Sequence, residues 1–138
     1  MKPAILIVLF AAAALGAEPG FLVVVNEANP VSSLARAELS EFFLKKKSSW
    51  PDGSLVLPVD QLEETEVREV FNRDVHRKRS AAIRAYWQQR IFSGRDVPPP
   101  EKESDANVIL YVRRHPGAIG YVSTIWPGAG VKTVSVRK

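Results

Sequence analysis

The chain has 138 residues, of which 46% are hydrophobic, and it carries 19 lysines and arginines against 15 aspartates and glutamates. This length fits one domain and leaves no room for two ordinary ones. The net charge of +4 is too mild to indicate a nucleic-acid partner, and the absence of cysteine excludes both disulfides and a lipid anchor on cysteine.

The N-terminus has the pattern of a secretory signal peptide. An almost wholly apolar run lies at Ile5–Leu15, and the small residues Gly16 and Ala17 follow it. The run has the length of a signal-peptide core, whereas a membrane-spanning helix needs about 20 residues. We therefore expect a cleaved signal peptide at residues 1–17, a single domain at residues 18–138 and a periplasmic location. The alternative is an uncleaved N-terminal anchor.

The first half of the domain predicts two strands around one helix. A continuous apolar, β-branched run at Phe21–Val25 is typical of a buried strand. Apolar residues at helical spacing predict a helix near residues 36–44, which ends in three lysines. The sequence WPDG at Trp50–Gly53 predicts a tight turn, because proline presets φ and glycine supplies a positive one. A second strand is expected at Leu55–Val59, and its proline indicates a sheet edge or a strand end.

The second half of the domain predicts three helices and two strands. Each helix begins at a side chain that can cap its first turn: Thr65, Ser80, and Ser104 or Asp105. Strands are expected at Ala118–Ser123 and Val131–Val136. Strands separated by helices predict an α/β fold with a mixed, mostly parallel sheet flanked by helices. The last strand follows the third without a helix, which indicates an antiparallel edge strand.

Several segments, in chain order, resemble the C-terminal-type lobe of phosphate-transporter substrate-binding proteins. The strongest match is Pro116–Val122, which reads PGAIGYV and is similar to a strand of that family. The other matching segments are Val23–Asn26, Asn29–Val31, Phe42–Lys45, Trp50–Gly53, and Pro58–Asp60 with Arg68 and Phe71. Together they cover nearly all of the chain after residue 17.

This resemblance implies one lobe of the type 2 periplasmic-binding-protein fold. Full members of the family have two lobes that close around an oxyanion such as phosphate, whereas this chain has length for one. The implied function is a non-enzymatic binding module without a cofactor, which acts in phosphate or anion uptake or in sensing. The alternative is an envelope interaction or scaffold protein that kept the fold and lost the ligand. The expected protein partner is a second copy of the chain or a membrane or envelope protein, and no nucleic acid is expected.

The resemblance also implies a ligand site at the start of the helix that carries Arg68. In the family this turn reads SGT, and its backbone N–H groups and hydroxyls hold the anion at the helix N-terminus. Here the aligned stretch Glu63–Glu66 reads EETE, and only Thr65 and Arg68 match the family. These two residues are the candidate ligand-binding side chains, and no metal ligands are predicted.

The same stretch allows three other interpretations. Acidic residues belong in the first turn of a helix, so Thr65 can be a simple helix cap. The carboxylates of Glu63, Glu64 and Glu66 can alternatively form a cation site. Arg68 can also be a surface residue that forms an ion pair with Glu64, one helical turn before it.

The remaining candidate residues carry less chemistry. His76 and His115 are expected at the surface or at helix ends, because no metal-ligand spacing surrounds them. The basic clusters Lys45–Lys47 and Arg77–Arg79 are expected to face solvent. The Tyr86–Trp87 pair is expected in the core or, alternatively, in an exposed patch that contacts a partner.

Overall fold

The computed structural model describes residues 20–123 and 130–138, so the predicted signal peptide at residues 1–17 lies outside the described residues. The strands are β1 (Leu22–Asn26), β2 (Ser33–Ala35), β3 (Leu57–Pro58), β4 (Asp60–Gln61), β5 (Glu101–Lys102), β6 (Ala118–Val122) and β7 (Val131–Arg137). The helices are α1 (Arg36–Phe43), α2 (Glu66–Phe71), α3 (Ser80–Phe92) and α4 (Asp105–Arg114), and a π-helical turn at Asn72–His76 follows α2. In these two ranges no helix has the length and apolar character needed to cross a bilayer.

Five strands form one mixed sheet in the order β2-β7-β1-β6-β3. The central strand β1 is antiparallel to both neighbours, β6 and β7, and the outer pairs β2–β7 and β3–β6 are parallel. A separate parallel pair, β4–β5, lies beside this sheet. The predicted mixed α/β fold is confirmed, with its antiparallel pairings at the centre.

The prediction of an antiparallel edge for the last strand, β7, is wrong: β7 runs in the same direction as β6, pairs antiparallel with β1 between them, and is not an edge strand. The short strand β2, which the sequence pattern did not predict, pairs with the outer side of β7. The predicted strand at residues 55–59 is reduced to β3, which pairs with β6 at the opposite edge. This edge position agrees with its proline, since proline cannot donate to a ladder.

Helices cover both faces of the sheet, which explains why β1 is a continuous apolar run. Val23 and Val25 point into a core that contains Phe43 of α1. Val24 points the other way, into a second core with Val108 and Val112 of α4. Successive residues of a strand face opposite sides, so both sides of β1 must be apolar.

Close packing of α4 on the sheet depends on a glycine in β6. A Cβ atom at Gly120 would lie 2.7 Å from Val108 Cγ1 and 2.9 Å from Val59 Cγ1. Any side chain at this position would therefore push α4 away from the sheet. A glycine inside a strand is typical of a position where another element approaches closely.

Two of the three predicted helix caps are confirmed. Thr65 Oγ1 accepts a hydrogen bond from the Arg68 backbone N–H at the start of α2, and Ser104 Oγ accepts one from Asn107 N–H at the start of α4. The prediction for Ser80 is wrong, because Ser80 is the first residue inside α3. Its hydroxyl instead accepts a hydrogen bond from Asn72 Nδ2 over 3.1 Å.

Candidate functional site

The candidate site is the loop that leads from β4 into α2. Thr65 lies at its end, and its hydroxyl both accepts from Arg68 N–H (3.3 Å) and donates to the Leu62 carbonyl oxygen (2.8 Å). The hydroxyl proton of Thr65 is therefore already used inside the protein. In this arrangement Thr65 serves as the cap of α2, one of the alternatives that the sequence left open.

Arg68 does not reach the loop surface. Its side chain is 8% exposed, and Nη1 donates to the Gln61 carbonyl oxygen (2.7 Å) and to Glu101 Oε2 (3.0 Å). Its Nε lies 3.5 Å from Asp60 Oδ1. The expected surface ion pair with Glu64 is wrong, because the helix turns Arg68 inward, next to buried Asp60, whereas Glu64 is exposed.

The buried partner of Arg68 is Asp60, a carboxyl group that is less acidic than usual. Burial raises the pKa of Asp60 from 3.8 to about 6, although the Arg68 charge and the hydrogen bond from the Tyr121 hydroxyl both act to lower it. Burial, together with the neighbouring Asp60, also raises the pKa of Tyr121 well above its ordinary value. Desolvation of the charged form is thus the dominant effect at this position.

A polar network extends from this pair to the end of β6. Gln61 Nε2 donates to Asp105 Oδ1 (2.7 Å) and to the Tyr121 carbonyl oxygen (3.1 Å). Asp105 in turn accepts from the Ser123 backbone N–H (3.1 Å). Sequence analysis missed Asp60, Gln61 and Tyr121 as part of this network. The available signal was a polar pair, Asp60 and Gln61, placed directly after an apolar strand.

Acidic residues dominate the open cleft at this loop. The cleft has a volume of about 520 Å³ and is lined by Glu63, Glu64, Thr65, Glu69, Ser80 and Arg84. Arg84 forms an ion pair with Glu63, in which Nε lies 3.0 Å from Glu63 Oε2. The hydrogen bond from Arg84 holds the pKa of Glu63 below its ordinary value. The guanidinium of Arg84 is thus already paired with a carboxylate of the protein itself, that of Glu63.

The candidate cation site at the same loop does not assemble. In the described parts of the chain, no three side chains of histidine, cysteine, aspartate or glutamate come close enough to hold a metal ion. Glu63 is instead engaged with Arg84, while Glu64 and Glu66 are exposed.

His76 is buried rather than at the surface, although it does end a helical turn. Its Nδ1 lies 2.7 Å from Ser40 Oγ. Burial, with the nearby charges of Arg68 and Arg36, lowers the pKa of His76 from 6.5 to about 4. His76 is therefore neutral at physiological pH.

The aromatic pair on α3 divides between core and surface. Trp87 packs with Ile83 and Leu44 in a small separate core, and Tyr86 packs against that core and donates to the Leu44 carbonyl oxygen (2.7 Å). The predicted place in the core is confirmed for Trp87, whereas Tyr86 is only partly buried. The exposed aromatic residue is a different one, Phe92, which ends α3 and is 92% exposed.

A second cleft, at the opposite end of the sheet, is mainly apolar. It has a volume of about 560 Å³, and its lining includes Pro30, Val31, Trp50, Leu55 and Pro116. Asp52, the charged residue in its lining, already accepts a hydrogen bond from Ser54 N–H. The chemistry of this lining fits an apolar group rather than an oxyanion.

The chain shares its fold with solved structures of phosphate-type binding proteins. The chain aligns over 85% of its length with a protein from Clostridium perfringens that is described as a phosphate ABC transporter substrate-binding protein with bound phosphate (19% identity, TM-score 0.65). Similar matches are an ABC-type phosphate transport receptor from Vibrio cholerae (19%, 0.66) and a protein from Planctomyces limnophilus described as a phosphate-binding protein (17%, 0.64).

The chain spans less than half of each of these proteins, namely 44%, 46% and 41% of their lengths. No family model and no curated protein matches the sequence. The structural likeness therefore establishes the fold, and it confirms the predicted single lobe of a periplasmic-binding-protein fold.

Proposed function

We propose that this chain is a non-enzymatic binding module of the periplasm that acts by contact with an envelope protein rather than by enclosing an oxyanion. The observation that carries the proposal is the arrangement of charges at the Thr65 loop. Arg68, the cation expected to hold an anion there, is turned inward onto Asp60 and Glu101. The cleft that remains open carries an excess of carboxylates.

Electrostatics oppose phosphate in this cleft. A phosphate would have to displace Glu63 from Arg84 while Glu64 and Glu69 remain beside it. One like-charge contact at about 5 Å costs roughly 3 kcal/mol at an effective dielectric near 20, and solvent exposure reduces this value. Tight phosphate binding at the Thr65 loop is therefore not expected.

The C-terminal end of α3 supports a protein partner instead. Ile91 is 51% exposed, Phe92 is 92% exposed, and Val97 in the following loop is 60% exposed. Large apolar side chains that are exposed side by side, as Ile91 and Phe92 are, mark sites of protein contact more often than single ones do. Phe92 is the natural anchor, since aromatic residues carry much of the energy of interfaces.

The described residues offer little for catalysis. Ser40 and His76 form a serine–histidine contact, but burial lowers the pKa of His76 to about 4, which makes it a weak base at neutral pH. Among the described residues, no carboxylate contacts the second ring nitrogen of His76 to orient it.

The second candidate function is weak oxyanion handling, and the fold favours it. One relative with this fold was solved with bound phosphate. In this chain the ligand would contact Thr65, Ser80 and Arg84 at the N-terminus of α2.

Two measurements on the same protein separate the candidates. Calorimetric titration with phosphate and sulfate should give no heat of binding at millimolar ligand, because carboxylates line the cleft and its arginine is already paired. A photo-crosslinking residue at position 92 should give one discrete adduct with an envelope protein in the cells that express the chain. The same residue at exposed Ala82, on another face of α3, is the control and should give none. Saturable phosphate binding at millimolar or lower concentration, without a specific adduct, would overturn the proposal in favour of the second candidate.

A further inference from the structure

A basic face lies on the side of the molecule that includes the π-helical turn and the C-terminal strand. Two adjoining clefts share Arg73 and Arg77 in their linings. We define the basic face by the exposed lysines and arginines of these clefts: Arg73, Arg77, Lys78, Arg79, Arg137 and Lys138. Asp74 and Glu69 are the acidic residues in the same linings. Six basic and two acidic side chains thus give the face a net charge of +4, which equals the net charge of the whole chain.

Most of this charge is not neutralised locally. In residues 20–123 and 130–138, the ion pair recorded on the basic face is that of Arg73 with its neighbour Asp74. Arg77 adopts a left-handed conformation (φ 58°) that ends the π-helical turn. The chain therefore leaves the helix at this point, and Arg77, Lys78 and Arg79 all remain exposed.

The basic face lies where the described chain begins. Phe21 lines the same cleft as Arg77 and Arg137. The apolar run that ends at Leu15 precedes Phe21 by only six residues, which span at most about 20 Å. The basic face thus lies beside the point where the predicted signal peptide joins the domain.

We propose that the basic face docks the protein on an anionic phospholipid surface. A cluster of four to eight lysines and arginines is the composition that attracts acidic lipid headgroups. The face presents six such residues in the linings of two adjoining clefts, and all six are exposed. This docking is independent of the contact proposed for Phe92, which lies on α3.

Vesicle binding by the full chain tests this proposal. Binding to phosphatidylcholine vesicles that contain roughly one-third phosphatidylglycerol should exceed binding to pure phosphatidylcholine, and it should weaken as salt rises. The comparison of the two vesicles separates headgroup attraction from apolar insertion of the N-terminal run, because insertion occurs in both.

A matched pair of triple variants locates the contact. Arg77→Gln, Lys78→Gln and Arg79→Gln together should weaken binding to the anionic vesicles roughly a hundredfold at low salt, about fivefold for each charge. Lys45→Gln, Lys46→Gln and Lys47→Gln remove the same number of charges from another cluster and should change binding no more than about threefold. Both variants should keep the thermal midpoint of the parent chain, since most of these side chains are exposed.

Three outcomes would overturn the proposal. Equal losses in the two triple variants would mean that only net charge matters. Equal binding to anionic and neutral vesicles would assign membrane affinity to the N-terminal run alone. Tighter binding of the basic face to duplex DNA than to anionic vesicles would assign it to a nucleic acid.

Discussion

The hydroxyl of Tyr121 donates a hydrogen bond to Asp60 Oδ1 over 2.5 Å, and both side chains are buried. The same hydroxyl accepts from the Gln61 backbone N–H (3.2 Å), and the ring stacks on Phe71 with centroids 3.9 Å apart. One side chain of the central sheet thus fixes both β4, where the Thr65 loop starts, and α2, where it ends.

Tyr121→Phe should destabilise the protein by about 1–3 kcal/mol, because it keeps the stacked ring but leaves buried hydrogen-bonding groups without a partner. Urea unfolding measures the change. A loss below about 0.5 kcal/mol would show that the hydroxyl contributes little to the network.

Asp60→Asn should change the pH dependence of stability. The folded protein keeps the Asp60 proton up to about pH 6, whereas the ordinary pKa is 3.8. The folded state binds more protons between these values, so its stability falls as pH rises from 3.8 to 6, by about 3 kcal/mol. Asparagine removes this decrease, whatever the absolute stability of the variant. Unfolding free energies at pH 4 and pH 7 test the difference, and an unchanged slope would contradict it.

His76→Gln should change the slope in the opposite direction. The pKa of His76 is lowered from 6.5 to about 4, so the unfolded state binds more protons in this window. The stability from neutral His76 is complete above pH 6.5 and is lost, by about 3 kcal/mol, as pH falls to 4. Because Asp60 and His76 oppose each other between pH 4 and 6, the parent chain should have a nearly flat profile there. In Asp60→Asn, the free energy of unfolding should therefore rise with pH because of His76. In His76→Gln, it should fall with pH because of Asp60.

Thr65→Ala should destabilise the protein by about 1 kcal/mol, because the first turn of α2 loses its cap. Thr65→Ser keeps the oxygen and is the matched control, which should lose much less. Thermal or urea unfolding distinguishes them. Equal losses in both variants would assign the effect of Thr65 to its methyl group.

Glu63→Gln should give weak phosphate binding in the millimolar range, where the parent chain gives none, because it removes a like charge and leaves Arg84 without its carboxylate partner. Glu41→Gln, which removes an exposed carboxylate from α1, is the control and should have no effect. Calorimetric titration measures both variants. No gain in Glu63→Gln would mean that Glu63 is not what excludes an anion from the cleft.

Local patterns predicted the helices of this fold more fully than its long-range contacts. Thr65 and Ser104 were identifiable as caps because a cap acts within three residues. The strand β2 has three residues and forms only by pairing with β7, about a hundred positions away, so no local pattern marks it. The burial of Arg68 was missed for the same reason, since Glu101 is supplied by a distant segment and Asp60 is buried by the tertiary fold.

The position of β1 has a consequence for the order of folding. The first strand in the described residues is the middle of the sheet, and Val24 pairs with Gly120 on one side and Thr133 on the other. Both partners lie roughly a hundred positions after it in the sequence, so the sheet cannot close around β1 before both distant segments reach it. Such non-local pairing slows folding. The sheet, and with it the base on which the Thr65 loop stands, therefore forms only after segments far apart in the sequence have met.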